Sequence, residues 1–75
     1  MWIRSLYGDY HDVISVSVCK INEGHAEIHG LLSNGKLLEM GVFSEENAEE
    51  KAHAVIDRAF EEANVHFVEI KASSK

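Results

Sequence analysis

The sequence predicts an α+β domain: a four-stranded antiparallel β-meander, one helix packed on one sheet face, and a C-terminal fifth strand. Three observations carry this. Residues 2–43 hold apolar runs, several of period two, separated by glycine-containing turns. Residues 44–64 carry alanine and larger apolar residues at spacings of three and four. VHFVEIKA, residues 65–72, is again rich in β-branched and aromatic residues. A run of strands followed by one helix places that helix on one side of an antiparallel sheet.

The strands are expected near residues 2–6, 11–21, 25–32 and 37–43. Gly8-Asp9 reads as a two-residue hairpin turn, and Asn22-Glu23-Gly24 as a three-residue turn with glycine at positive φ. Asn34-Gly35 is the strongest short hairpin signal in the chain. In the second strand Ile14, Val16 and Val18 alternate with Ser15, Ser17 and Cys19. Ala26 and Ile28 alternate with His25, Glu27 and His29, and Leu38, Met40 and Val42 with Leu37, Glu39 and Gly41. Ile14, Val16, Val18, Leu38, Met40 and Val42 should therefore form the helix-covered face.

Ser44 is the expected N-cap, with Glu45 and Glu46 in the first turn, where acids complement the positive end of the helix dipole. Ala48, Ala52, Val55, Ile56, Ala59, Phe60 and Ala63 form the stripe that faces the sheet, and Asn64 ends the helix. Residues 1–72 make one domain, and residues 73–75 a frayed tail.

A chain of 75 residues buries only a thin core, so good packing or self-association must stabilise it. Its single cysteine, Cys19, excludes an intramolecular disulfide and a zinc site built on a CxxC pair. Thirteen acids against 7 Lys and Arg give a net charge of −6. That balance disfavours direct contact with nucleic acid or an anionic membrane and suits a basic protein partner. No apolar run approaches the roughly 18 residues of a membrane span, and MWIRSLYGDY lacks the apolar core of a signal peptide. A cytoplasmic protein is expected.

Met1-Trp2-Ile3-Arg4-Ser5, the meander, Gly41-Val42-Phe43 before an acidic helix, and Val55-Ile56-Asp57-Arg58-Ala59 form a pattern along most of the chain. This pattern resembles small ββββαβ proteins of MWIRS type encoded by phages and prophages of Gram-positive bacteria. The second strand here is longer than in that pattern. The resemblance implies an accessory or host-takeover context, whose products are commonly small binders and inhibitors rather than enzymes, and it carries over no activity. A phage product of this kind would act in the host cytoplasm.

His25, Glu27 and His29 share one face of a strand and are the sharpest metal candidates. Positions i and i+4 of a strand lie about 13 Å apart, too far for both imidazoles to reach one ion unless the strand bends. Cys19 sits mid-strand without a base or a helix N-terminus to activate it. Trp2, Tyr7 and Tyr10 cluster at the first hairpin, with only Arg4 nearby, so packing or a protein contact suits them better than base stacking. No catalytic residue, metal or cofactor is expected, and the chain reads as a non-enzymatic binder.

The acids of residues 43–65 are the remaining feature. Glu46, Glu50, Asp57 and Glu61 fall at spacings of four, seven and four, with Glu45, Glu49 and Glu62 as a second stripe. Glu45–Glu49 and Glu46–Glu50 would be like-charge i,i+4 pairs, each costing a few tenths of a kcal/mol. Such patterning suggests a surface that imitates DNA and occupies the basic site of a host DNA-binding protein, such as a nucleoid protein. An assembly module working through its sheet face is the alternative, and a His-rich metal-binding domain a more distant one. Leu31, Leu37 and Phe67 are left for the sheet face away from the helix, so a homodimer is expected through that face or by edge-strand pairing.

Overall fold

A computed structural model describes residues 1–63 and 67–71. The strands are β1 (Trp2–Arg4), β2 (Tyr10–Asp12), β3 (Ser15–Asn22), β4 (His25–Leu31), β5 (Leu37–Phe43) and β6 (Val68–Glu69), with the helix α1 (Ala48–Glu61) between β5 and β6. The domain is α+β, as the patterning predicts, but the strands form two three-stranded sheets rather than one meander. Their orders are β2-β1-β6 and β3-β4-β5.

The expected second strand, 11–21, divides at Val13 and Ile14. Val13 N–H donates to Met1 O at 2.8 Å, in the first sheet, and Ile14 N–H donates to Leu31 O at 2.7 Å, in the second. Consecutive residues thus bond into different sheets. Val13 is buried, and Ile14 is 61% exposed, so Ile14 does not join the helix-covered face. The turn at Gly8-Asp9 is also longer than expected, spanning residues 5–9. Ser5 N–H donates to Asp9 O at 2.9 Å, and Gly8 adopts a φ of 96°.

β3, β4 and β5 do form an antiparallel meander. Gly35, with a φ of 87°, makes the expected Asn-Gly turn, and Leu31 pairs with Leu37 across it. The turn before β4 shrinks to Glu23-Gly24 without positive φ, and Gly24 N–H donates to Asn22 Oδ1 at 3.0 Å.

The β4–β5 register shifts by one residue. Ile28 pairs with Gly41 and His29 with Glu39, so Met40 bulges out of the ladder. Met40 and Gly41 are both buried, and the alternation reverses beyond them. Val42 is consequently 40% exposed, while Phe43 turns inward. The expectation that Val42 lies under the helix fails for this reason.

α1 begins later than the sequence suggests. Ser44, Glu45 and Glu46 carry the chain from β5 to the helix layer, and Asn47 makes the corner at a φ of 61°. Asn tolerates this left-handed geometry better than most residues. No side chain caps the first turn, whose acids are Glu49 and Glu50. The described helix ends at Glu61 with Glu62 as C-cap; Asn64 and the tail at 73–75 lie outside the described residues.

Ala48, Ala52, Val55 and Ala59 are buried, whereas Phe60 is 43% exposed and Ala63 is exposed. The four buried helix residues meet Ala26, Ile28 and Met40 from the second sheet and Ile3, Val68 and Ile70 from around the first, together with Val13. Val16, Val18 and Leu38 pack against this core half-buried. β6 runs parallel to β1, so the C-terminal strand joins the first strand and not the meander.

Candidate partner-binding surface

The division at Asn47 changes the geometry of the acids. Glu45 and Glu46 precede the helix, so neither is an i,i+4 helical partner of Glu49 or Glu50. The expected four-residue stripe shortens to Glu50, Asp57 and Glu61. At 100° per residue these three fall within about 40° of arc, opposite the alanine stripe. All three are exposed. They span about 16 Å along the axis, with Asp57–Glu61 as a like-charge i,i+4 pair.

The other acids are placed differently. Glu45 pairs with Lys51 at 3.0 Å, and Glu62 with Arg58 at 3.1 Å and Lys71 at 4.0 Å. Glu49 is half-buried and Glu46 exposed. Among the described residues Glu46, Glu49, Glu50, Asp57 and Glu61 make no ion pair within 4 Å. The segment therefore mixes signs along one flank and keeps unopposed negative charge on its outward face.

On the outer face of the second sheet, His25, Glu27 and His29 lie together. The Glu27 carboxylate stands between the imidazoles, 2.9 Å from His29 Nε2 and 3.6 Å from His25 Nε2. Among the described residues, no group of three or more His, Cys, Asp or Glu side chains is arranged to hold a metal. Cys19, partly exposed, is the direct cross-strand neighbour of Glu27.

Leu31 and Leu37 pair across β4 and β5 on this same face, with Leu37 63% exposed. Phe67 does not join them. It flanks β6 in the first sheet, where its ring meets Tyr10 edge-on at 5.4 Å between centroids. Arg4 lies over the Tyr10 ring at 5.7 Å and pairs with Glu69 at 2.6 Å. The three residues expected at one dimer interface are therefore split between two sheets.

Two interactions escape period-two reading because loop residues make them. The Tyr7 hydroxyl donates to Glu39 on β5, and this bond, with partial desolvation and the Glu39 charge, pushes the phenol up to about 12. The Ser5 hydroxyl donates to Asp9, and this bond first, with a second from His11, holds the Asp9 carboxyl below its ordinary range.

A shallow depression between α1 and β6 is lined by Val55, Arg58, Ala59, Glu62, Glu69 and Lys71. Among the described residues no helix is long and apolar enough to cross a membrane. No protein-family model, curated protein or solved structure matches this chain.

Proposed function

We propose that this chain is a small acidic, non-enzymatic binding protein that occupies the basic site of a DNA-binding protein, such as a nucleoid protein, in place of DNA. Glu50, Asp57 and Glu61 form the centre of the binding face, with Glu46 and Glu49 beside it; Glu45 and Glu62, already paired, form its rim. The observation that carries this reading is the exposed row Glu50–Asp57–Glu61, which has no cation within 4 Å among the described residues. Its charges are spaced about 10 Å and 6 Å along the axis. One DNA strand places a phosphate every 3.4 Å or so, so the match is sparse on one chain and improves when two chains present their helices together. The resemblance to small phage-encoded proteins fits an inhibitor that acts on a host protein in the host cytoplasm.

A second reading is an assembly module that docks through Leu31 and Leu37, and the exposure of Leu37 favours it. Salt separates the two, because charge-driven binding weakens steeply with added salt and apolar docking does not. The test is a pulldown from bacterial lysate across a salt series, with the Glu50→Lys/Asp57→Lys/Glu61→Lys variant as control. Capture of a DNA-binding protein that the variant and high salt both abolish, and that duplex DNA competes away, supports the acidic face. Capture indifferent to all three rules it out.

A further inference from the structure

We infer that β3 pairs with β3 of a second copy, antiparallel about a two-fold axis at Ser17, so that two three-stranded sheets become one continuous sheet. The free sheet edges are unequal. In the first sheet β2 has 3 residues and β6 has 2, too short to template another strand. In the second sheet β5 is bulged at Met40, and the Met40 carbonyl already accepts from Leu6 N–H at 3.0 Å. β3 is different. It has 8 residues, its register with β4 is regular from Ser15 to Lys20, and among the described residues β4 is its only strand partner.

An antiparallel strand bonded on one side turns the N–H and C=O of alternate residues to the other. Protected edges carry charge, proline or a bulge. β3 has no proline and no charge from Ser15 to Cys19, and its irregularity comes only after Lys20. In a chain of net charge −6 this uncharged seam is where a second copy approaches with least repulsion.

The side chains select the register. A two-fold axis perpendicular to the sheet keeps both helices on one side, and directly opposed residues then share a face. The axis must therefore pass between two copies of one residue. At Ser17, half-buried Val16 meets Val18 of the second copy, twice, and continues the apolar face. Ser15 then meets Cys19 on the outer face. At Val18, Val16 would face Lys20. At Val16, the ladder would run into Val13, where the chain has already left for the first sheet. Ser17 is the register that matches like with like. The pairing also sets both Glu50–Asp57–Glu61 rows on one side of the joined sheet, yet it stands on β3 alone and is measured without any basic partner.

Sedimentation equilibrium on the full chain at micromolar concentration tests it. The wild type should show the mass of two chains. Ser17 is exposed, so Ser17→Lys and Ser17→Glu should keep the fold by circular dichroism, yet each should sediment as one chain because like charges meet at the axis. Mixing them one to one should restore the two-chain mass. Leu37→Glu, on β5, should leave the wild-type mass unchanged. Ser17→Cys in a Cys19→Ser background should cross-link on mild oxidation, and Ser15→Cys in the same background should not, since disulfides need Cα atoms within about 7 Å. A one-chain mass for the wild type overturns the inference. So does a two-chain mass for unmixed Ser17→Lys, loss of the dimer in Leu37→Glu, or preferential cross-linking at position 15.

Discussion

Leu6 lies directly over Gly41. A Cβ at Gly41 would sit 2.6 Å from Leu6 Cδ1, and Leu6 N–H donates to Met40 O at 3.0 Å. One contact thus joins the loop of the first sheet to the bulge of the second. Gly41→Ala should destabilise the domain by about 1–3 kcal/mol through overpacking. Leu6→Ala/Gly41→Ala should lose less than the sum of the single changes, because the smaller residue makes room. Urea unfolding of the four proteins measures the coupling, and strict additivity would show that the contact does not join the sheets.

Asn47 holds the corner before α1 at a φ of 61°. Asn47→Gly should be tolerated, since glycine enters this region without a Cβ clash. Asn47→Val should cost about 1–2 kcal/mol, the penalty of left-handed geometry for a branched side chain. Equal stabilities in thermal melts would refute the left-handed assignment.

Asp57 and Glu61 repel each other one turn apart on the outward face. Glu61→Gln should stabilise the isolated protein by about 0.2–0.5 kcal/mol while weakening capture of a basic partner. A variant that gains stability and binds as well as the wild type would show that this charge serves no partner.

Tyr7 should titrate near pH 12 because its hydroxyl donates a hydrogen bond to the Glu39 carboxylate, which holds the phenol protonated. The folded value lies above the ordinary 10.0, so the fold favours the protonated phenol. Its contribution is complete below about pH 10 and is lost as pH rises toward 12. Near-ultraviolet absorbance of wild type, Tyr7→Phe and Glu39→Gln should show the late step removed in the second and moved to lower pH in the third.

Asp9 behaves in the opposite sense. Its folded value is lowered, so its contribution is present above the ordinary carboxyl range and is lost as pH falls through the folded value. Ser5→Ala removes the largest cause and should raise the Asp9 pKa in an NMR titration. No rise would assign the shift to His11 instead.

Much of this architecture follows from local chemistry. Alternation along β4 placed Ala26 and Ile28 inward and put His25, Glu27 and His29 on one outer face, because side chains of a strand must alternate. Asn34-Gly35 set the last turn of the meander, since glycine alone enters that φ freely. Ala48, Ala52, Val55 and Ala59 announced the buried side of α1, and by the same geometry Glu50, Asp57 and Glu61 lie opposite.

The rest required the partners that distant segments bring. Nothing local breaks YHDVISVSV; it divides because Met1 and Leu31 claim the adjacent N–H groups of Val13 and Ile14. Alternation puts Val42 inward, and only the one-residue slip of β5 against β4 turns it out. Ser44 has the chemistry of a cap, but the chain is still crossing from sheet to helix there, and the corner falls at Asn47. β6 has only 2 residues, too few for a pattern to name its sheet; its place beside β1 rests on the Ile3–Val68 contact and the Arg4–Glu69 ion pair. Propensity and periodicity act over a few residues and so define elements and faces, whereas register, bulges and strand order depend on contacts between residues far apart in the chain, whose energies no local pattern contains.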